Sequence, residues 1–223
     1  MKTEIVRAAK IFKLLKEEYP EVKPALEYKT PFQLLISTIL SAQCTDARVN
    51  IVTASLFKKY KMPKDYVDAS DEELEKDIFS TGFYKQKTKS IKQCCQKLLD
   101  DYGGKVPADF DALTNLPGVG RKTASVVAGN AFGIPAIAVD THVKRLSNLL
   151  GFIESDDPVK IEFRLKELLP AGDWINSSHW LATHGRKICI ARRPKCSFCV
   201  IGKLCPSFRN ENNVSTKKIK KGN

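Results

Sequence analysis

A short run of proline and glycine at residues 116–120 separates two segments with helical patterns, and it limits how this chain can fold. Gly118 and Gly120 permit a tight turn, because glycine tolerates left-handed backbone angles and lets another molecule approach the main chain closely. Residues 109–115 carry apolar side chains at helical spacing, and residues 121–132 are rich in Ala and Val without an internal proline. The pattern therefore predicts a helix, a glycine-containing turn and a second helix.

The start of the second predicted helix is a candidate anion site. The backbone amides of Gly118, Val119, Gly120 and Arg121 are expected to point out of the helix N-terminus, where phosphate is favoured. Lys122 lies one residue beyond these amides. Its position alone is explained equally well by a further phosphate contact and by a reactive amine.

Asp140 supplies a second candidate group. It follows the stretch 134–139, which is rich in β-branched residues, and precedes a helix predicted to begin at Thr141. Aspartate is among the best residues for capping a helix N-terminus, and a carboxylate can also accept the proton of a nucleophilic amine. The two roles are compatible. A single strand has nothing to pair with, so residues 134–139 are interpreted as an extended connector in an all-α protein.

Further helices are predicted from the spacing of apolar residues along the rest of the chain. The predicted ranges are 3–18, 32–40, 46–60, 71–79, 84–102, 141–150, 158–169 and 173–184. The polar, lysine-rich tail from Asn210 is expected to be frayed.

Four of the seven cysteines fall within 17 residues, with the spacing C-x6-C-x2-C-x5-C. These four are Cys189, Cys196, Cys199 and Cys205. Thiolates bind both structural zinc and iron–sulfur clusters. Structural zinc more often pairs two CxxC motifs, so the spacing favours an iron–sulfur cluster and leaves zinc as the alternative. The odd cysteine count argues against a disulfide framework, and Cys44, Cys94 and Cys95 are predicted to be buried or inert thiols.

The charge balance indicates a polyanionic partner. The chain has 37 Lys and Arg against 25 Asp and Glu, a formal net charge of +12, which suits sequence-independent binding to phosphates. Arg192, Arg193 and Lys195 lie between two of the clustered cysteines and are predicted phosphate contacts, with a solvated basic surface as the alternative. No apolar run reaches 18 residues, and residues 1–20 lack the features of a secretion signal. A cytoplasmic protein without membrane association is therefore expected.

Two motifs together resemble one branch of the DNA glycosylases. LPGVGRKTA at 116–124 and AVDTHV at 138–143 are similar to the helix-hairpin-helix plus Gly/Pro–Asp motif of the endonuclease III family, and the cysteine spacing also matches. The resemblance extends from about residue 30 to residue 205. It implies that Lys122 attacks the sugar of a damaged nucleotide, that Asp140 assists, and that the four cysteines hold a [4Fe–4S] cluster.

The same resemblance assigns two residues to the DNA strands. Gln43, in LSAQCTD, matches a glutamine that fills the hole left by an extruded base; the alternative is an ordinary exposed residue at a helix end. The segment Thr81–Gly82–Phe83–Tyr84 matches a loop that wedges the opposite strand, with Phe83 as the wedge. Thr81 departs from the aliphatic residue often found at its position.

The resemblance also implies two helical lobes, one from 23 to 134 with the helix-hairpin-helix, the other combining 1–22 with 135–223 and the iron–sulfur loop. The expected protein is a monomeric, nucleoid-associated enzyme of base excision repair. It acts on damaged double-stranded DNA, removes oxidised pyrimidines and cleaves the strand at the resulting abasic site. The alternatives are a glycosylase without lyase activity and a non-catalytic DNA-binding protein with structural zinc.

Overall fold

The fold is all-α, as predicted. A computed structural model describes residues 2–208, and within that range it contains helices and no β-strand. The predicted tail from Asn210 lies outside the described residues. The α-helices are α1 (Lys2–Glu18), α2 (Pro31–Leu40), α3 (Asp46–Lys59), α4 (Pro63–Asp68), α5 (Asp71–Ile78), α6 (Tyr84–Tyr102), α7 (Phe110–Thr114), α8 (Arg121–Phe132), α9 (Thr141–Leu149), α10 (Pro158–Leu168) and α11 (Trp174–Lys187).

The chain divides into two compact units. One unit is continuous in sequence, Pro24–Ala136, and it contains α2 to α8. The other combines Met1–Lys23 with Ile137–Asn223 and contains α1 and α9 to α11. Within the described range, no helix is both long and apolar enough to cross a bilayer.

Helix α2 forms the centre of the unit 24–136. Eight of its residues are buried, including the polar Ser37 and Thr38, so the helix is enclosed rather than amphipathic. Thr30 caps it, because its hydroxyl accepts a hydrogen bond from the Gln33 amide at 3.2 Å. Helices α3, α6 and α8 all pack against α2. The prediction of a central buried helix from the apolar run 32–40 is therefore confirmed.

The second unit is built around α1, which buries Ala8, Ile11, Phe12 and Leu15. These residues occupy one helical face, as their spacing requires, and α1 packs against α10 and α11. The extended connector predicted at 134–139 is present and forms no strand.

Helix α4 is an element that the sequence analysis did not predict. Pro63 occupies its first position, and the Asp65 carboxylate accepts hydrogen bonds from the backbone amides of Lys61 at 2.6 Å and Met62 at 2.9 Å. A helix of this length is too short to show a period, so its signal lies only in the proline and the aspartate that follows it.

The isolated cysteines behave largely as predicted. Cys94 and Cys95 are fully buried in the core of the unit 24–136, and Cys44 is half-buried. Burial raises the pKa of the Cys94 thiol to about 12, so this thiol stays protonated and unreactive at neutral pH.

The predicted helix–turn–helix is formed by α7, residues 115–120 and α8. We refer to residues 115–120 as the hairpin turn. Asp109 caps α7 by accepting a hydrogen bond from the Ala112 amide at 2.7 Å. Gly118 has a φ of +75°, and a Cβ atom at this position would lie 2.8 Å from the Cβ of Ser90. Both the backbone angle and the close packing on α6 therefore require glycine.

We expect Gly118→Ala to lower the free energy of unfolding by about 1–3 kcal/mol, because it adds left-handed strain and a steric clash. Gly120→Ala is the matched control, since Gly120 has a φ of −85° and a Cβ atom added there would have no heavy atom within 4 Å. In Gly120→Ala, the lower conformational entropy of the unfolded chain stabilises the protein, whereas alanine is a poorer helix cap than glycine. These two effects offset each other, so the free energy of unfolding should change little. Urea unfolding of the two variants measures the difference, and equal losses would contradict the requirement for glycine at position 118.

Candidate active site and metal centre

Lys122 lies in the first turn of α8, directly after the hairpin turn, and its side chain is exposed. Gly120 caps this helix with extended backbone and no side-chain hydrogen bond. The first amides of an α-helix have no partner within the helix, which makes such an end suitable for an anion. The neighbouring Arg121 guanidinium lies 5.1 Å from the centre of the Phe110 ring, so its position is supported by a cation–π contact.

Val119 takes part in the hairpin turn itself. Its side chain is buried, and its backbone amide donates to the Leu116 carbonyl at 3.0 Å within the turn. The roles of Gly118, Val119, Gly120 and Arg121 as phosphate contacts stay predictions.

Asp140 is the N-terminal cap of α9, which confirms the structural half of its prediction. Its Oδ1 accepts a hydrogen bond from the Val143 amide at 2.7 Å, and the residue is half-buried. Its negative charge also acts on His179. Burial lowers the pKa of His179, the positive charge of Arg186 lowers it further, and the negative charge of Asp140 partly opposes both effects. The catalytic role of Asp140 stays a prediction.

Gln43 and Phe83 share an unusual backbone conformation. Their φ angles are 53° and 50°, and no other non-glycine residue within residues 2–208 has a positive φ. Both are exposed, Phe83 to 64%. Left-handed conformations are rare for such side chains and concentrate at functional sites. Thr81, by contrast, is buried and its hydroxyl donates to the Ile78 carbonyl at 2.8 Å, so its side chain cannot act as part of a wedge.

The four clustered cysteines line a single cavity of about 160 Å³ in the second unit. All four thiols are free, and apolar residues such as Leu149 and Ile201 complete the cavity wall. In the part of the chain that the structure describes, no three His, Cys, Asp or Glu side chains converge as a group that could hold a metal ion. Four thiols around one cavity are a donor set for a thiolate-ligated group, and iron–sulfur clusters and structural zinc both use such a set.

Arg145 places a positive charge beside the cysteines. It donates to the carbonyl oxygens of Gly185 at 3.1 Å and Cys189 at 2.6 Å, while its Nε is buried with no partner among the described residues. Burial raises the pKa of the Cys189 thiol, and the Arg145 charge partly opposes that effect. A half-buried cation next to thiols suits an anionic, thiolate-ligated group.

His184 connects this cavity to Tyr19, the residue that follows α1, and no sequence motif singles it out. Its Nε2 lies 3.3 Å from the Cys199 sulfur and its Nδ1 lies 3.0 Å from the Tyr19 hydroxyl. Burial lowers the pKa of His184 to about 4. The imidazole is therefore neutral at pH 7. In a neutral imidazole one nitrogen donates a hydrogen bond and the other accepts one, so one of these roles falls to the contact with the Cys199 thiol and the other to the contact with the Tyr19 hydroxyl.

The predicted basic contacts are all exposed. Arg192, Arg193 and Lys195 lie in the loop between Cys189 and Cys196. This loop turns back on itself, because the Lys195 amide donates to the Ile188 carbonyl at 2.9 Å. Their contact with phosphate stays a prediction.

Comparison with known proteins identifies the family. Residues 36–171 match the HhH-GPD superfamily base excision DNA repair proteins. Endonuclease III of Synechocystis sp. is 48% identical over 90% of this chain and 92% of its own length, and endonuclease III of Bacillus subtilis is 48% identical over 84% and 86%. A trapped covalent intermediate of an endonuclease III with DNA superposes with a TM-score of 0.88 at 45% identity, covering 91% of this chain and 96% of the other. The chain therefore belongs to the endonuclease III family within the HhH-GPD superfamily of base excision DNA repair proteins.

Proposed function

We propose that this protein is a bifunctional DNA glycosylase and abasic-site lyase, which removes oxidised or ring-saturated pyrimidines and cleaves the strand 3′ to the abasic site. The observation that carries the proposal is Lys122, an exposed primary amine at the start of α8 beside the hairpin turn. A related endonuclease III, 45% identical, has been trapped as a covalent intermediate with DNA. That intermediate supports a nucleophile on the protein.

The first chemical step is substitution at the sugar. The nucleotide must leave the duplex, because its C1′ cannot be reached inside the base stack. The lone pair of the neutral Lys122 amine forms a bond to C1′, while the glycosidic bond breaks and its electron pair leaves with the base. Phosphate binding at the N-terminus of α8 would align Lys122 with C1′ and so reduce the entropic cost of attack.

The second step breaks the strand. The C1′–Lys122 adduct loses one proton from nitrogen; the nitrogen lone pair then breaks the C1′–O4′ bond, O4′ takes up a proton, and a protonated Schiff base results. A base next removes a C2′ proton, the C–H electron pair forms the C2′–C3′ double bond, and the C3′–O bond breaks so that the 3′ phosphate leaves with its electron pair. Asp140 accepts the amine proton or stabilises the positive charge that develops on the sugar.

The four clustered cysteines would hold a [4Fe–4S] cluster, since their donor set and cavity fit a thiolate-ligated cluster. When bound, such a cluster can supply a fixed structural anchor and one-electron redox chemistry. The residues of this chain supply the binding function: Arg192, Arg193 and Lys195 project from the loop that the ligands Cys189 and Cys196 bracket. The loop would then act as a basic contact for the DNA backbone.

The preferred lesion follows in part from the cost of extrusion. A pyrimidine that has lost its planarity stacks poorly, so taking it out of the duplex costs less than the few kcal/mol typical of an intact base. An amine nucleophile also requires no particular base, provided that the base is a good leaving group. Thymine glycol, a ring-saturated pyrimidine, is therefore an expected substrate.

We expect Lys122→Gln to retain DNA binding but to lose both strand cleavage and borohydride trapping on abasic-site DNA, because the variant has no amine to form the Schiff base. Lys195→Gln is the matched comparison, since it removes a predicted phosphate contact. That variant should bind more weakly, with a salt slope smaller by about one, yet trap fully at saturating protein. Full trapping by Lys122→Gln would reject the nucleophile. Loss of trapping that is explained entirely by weaker binding would make Lys122 a phosphate contact.

Protein purified from iron-replete cells should be brown and contain about four irons and four acid-labile sulfides per chain. Cys199→Ser is expected to lose iron and soluble yield, because the 188–208 segment depends on its ligands for order. Cys44→Ser, at a half-buried cysteine outside the cavity, should retain the full iron content. Metal analysis by mass spectrometry measures both, and a colourless protein with stoichiometric zinc would establish the zinc alternative.

Asp140→Asn should slow excision of thymine glycol by about 10²–10⁴-fold, the usual contribution of a group that manages charge or protons in the transition state. Cleavage at a ready-made abasic site should suffer less, because base loss has already occurred. Asparagine caps helices as well as aspartate, so the free energy of unfolding should change little, whereas Asp140→Ala should lose about 1 kcal/mol. Single-turnover kinetics on both substrates separate the roles. Equal slowing on both, with the free energy of unfolding unchanged, would show that Asp140 serves Lys122 and not the departing base.

A further inference from the structure

The segments that carry Gln43 and Phe83 are tied together by a residue that no motif singles out. Lys87 lies near the start of α6, and only 5% of its surface is exposed. Its Nζ donates to the Leu40 carbonyl at 2.7 Å and to the Thr81 carbonyl at 2.9 Å. Leu40 ends α2 three residues before Gln43, and Thr81 lies two residues before Phe83. One ammonium group therefore joins the bases of both exposed turns.

A buried ammonium group is a costly way to hold two turns, because burial disfavours charge. Burial accordingly lowers the pKa of Lys87. Its partners compensate, since both are carbonyls at helix C-termini, those of α2 and of the 3-10 helix Phe79–Thr81, where carbonyl groups carry partial negative charge. The Lys87 amide also donates to the Phe83 carbonyl at 3.0 Å. Side chain and main chain together fix the position of this residue.

The two turns that Lys87 joins are the ones with strained backbone. Left-handed conformations at Gln43 and Phe83 persist only where the surroundings determine them. Each turn has its own local hydrogen bond, from the Cys44 amide to the Ser41 carbonyl at 3.1 Å and from Gly82 to Phe79 at 3.2 Å. Both strained residues are exposed, so the two turns present the side chains of Gln43 and Phe83 at the surface.

We propose that Lys87 is a positioning residue that sets the spacing between Gln43 and Phe83, so that both enter the duplex together when a nucleotide is extruded. The inference rests on the proposed function, in which Gln43 replaces the extruded base and Phe83 wedges the opposite strand. Since Lys87 is buried, it acts through these two residues and not through contact with DNA. Its removal should slow extrusion and spare the bond-breaking steps at Lys122.

The test replaces the ammonium group with an apolar side chain of similar length. Lys87→Met should slow single-turnover excision of thymine glycol from a duplex by about tenfold or more, while cleavage of a single-stranded oligonucleotide with a ready-made abasic site changes less than about twofold, because no base has to be extruded. Stopped-flow fluorescence of 2-aminopurine beside the lesion should slow by the same factor as duplex excision. Lys89→Met removes an exposed charge from the same helix and should change neither rate.

Equal slowing on duplex and single-stranded substrates, or an unchanged duplex rate, would overturn the role of Lys87. If thermal unfolding shows that Lys87→Met is unstable, Lys87→Gln is measured in its place, because glutamine keeps a shorter hydrogen-bond donor without a buried charge. This variant should slow duplex excision by a smaller factor and again leave single-strand cleavage nearly unchanged. A wild-type protein inactive on both substrates would reject the proposed function itself. An active wild type with unaffected variants would reject only the inference about Lys87.

Discussion

The burial of α2 is the constraint on which the unit 24–136 depends. With eight of its residues in the core, this helix cannot rotate or slide without opening cavities or moving polar groups into apolar surroundings. Its C-terminal end leads directly into the turn that contains Gln43, and its sides support α6 and α8. Lys87, Phe83 and Lys122 therefore sit on, or next to, helices whose position is fixed by packing. Groups that must meet a substrate accurately benefit from such support.

The second unit must stabilise a long segment, 188–208, in which only Ile201 and Gly202 are buried. Residues 188–208 contain two 3-10 helices, Cys196–Phe198 and Gly202–Leu204, and no longer element. Arg145 and His184 reach this segment from α9 and α11 through Cys189 and Cys199. In the proposed enzyme the basic loop is therefore attached to the helices at the Cys189 backbone and the Cys199 thiol, next to the cluster ligands.

Helical periodicity predicts the all-α class and most helices correctly, because apolar residues 3.6 positions apart mark a buried face directly. It fails for α4, which is too short to show a period. The candidate site depends on motif resemblance instead, since Lys122 and Asp140 are ordinary polar residues when taken singly. Lys87 could not be predicted, because lysine is almost never buried without a partner and its partners are backbone carbonyls that leave no trace in sequence. The left-handed angles of Gln43 and Phe83 likewise arise from tertiary contacts.

The discontinuous unit has a consequence for synthesis on the ribosome. Helix α1 leaves the ribosome first, yet its partners α10 and α11 follow only after the whole of Pro24–Ala136. At about 5–20 residues per second, the apolar face of α1 waits roughly ten to thirty seconds for them. The unit that carries Lys122 can fold during this interval, whereas the unit that carries Asp140 and the four cysteines closes around α1 only after α11 has emerged. Until then the apolar face of α1 lacks the two helices that cover it in the folded protein.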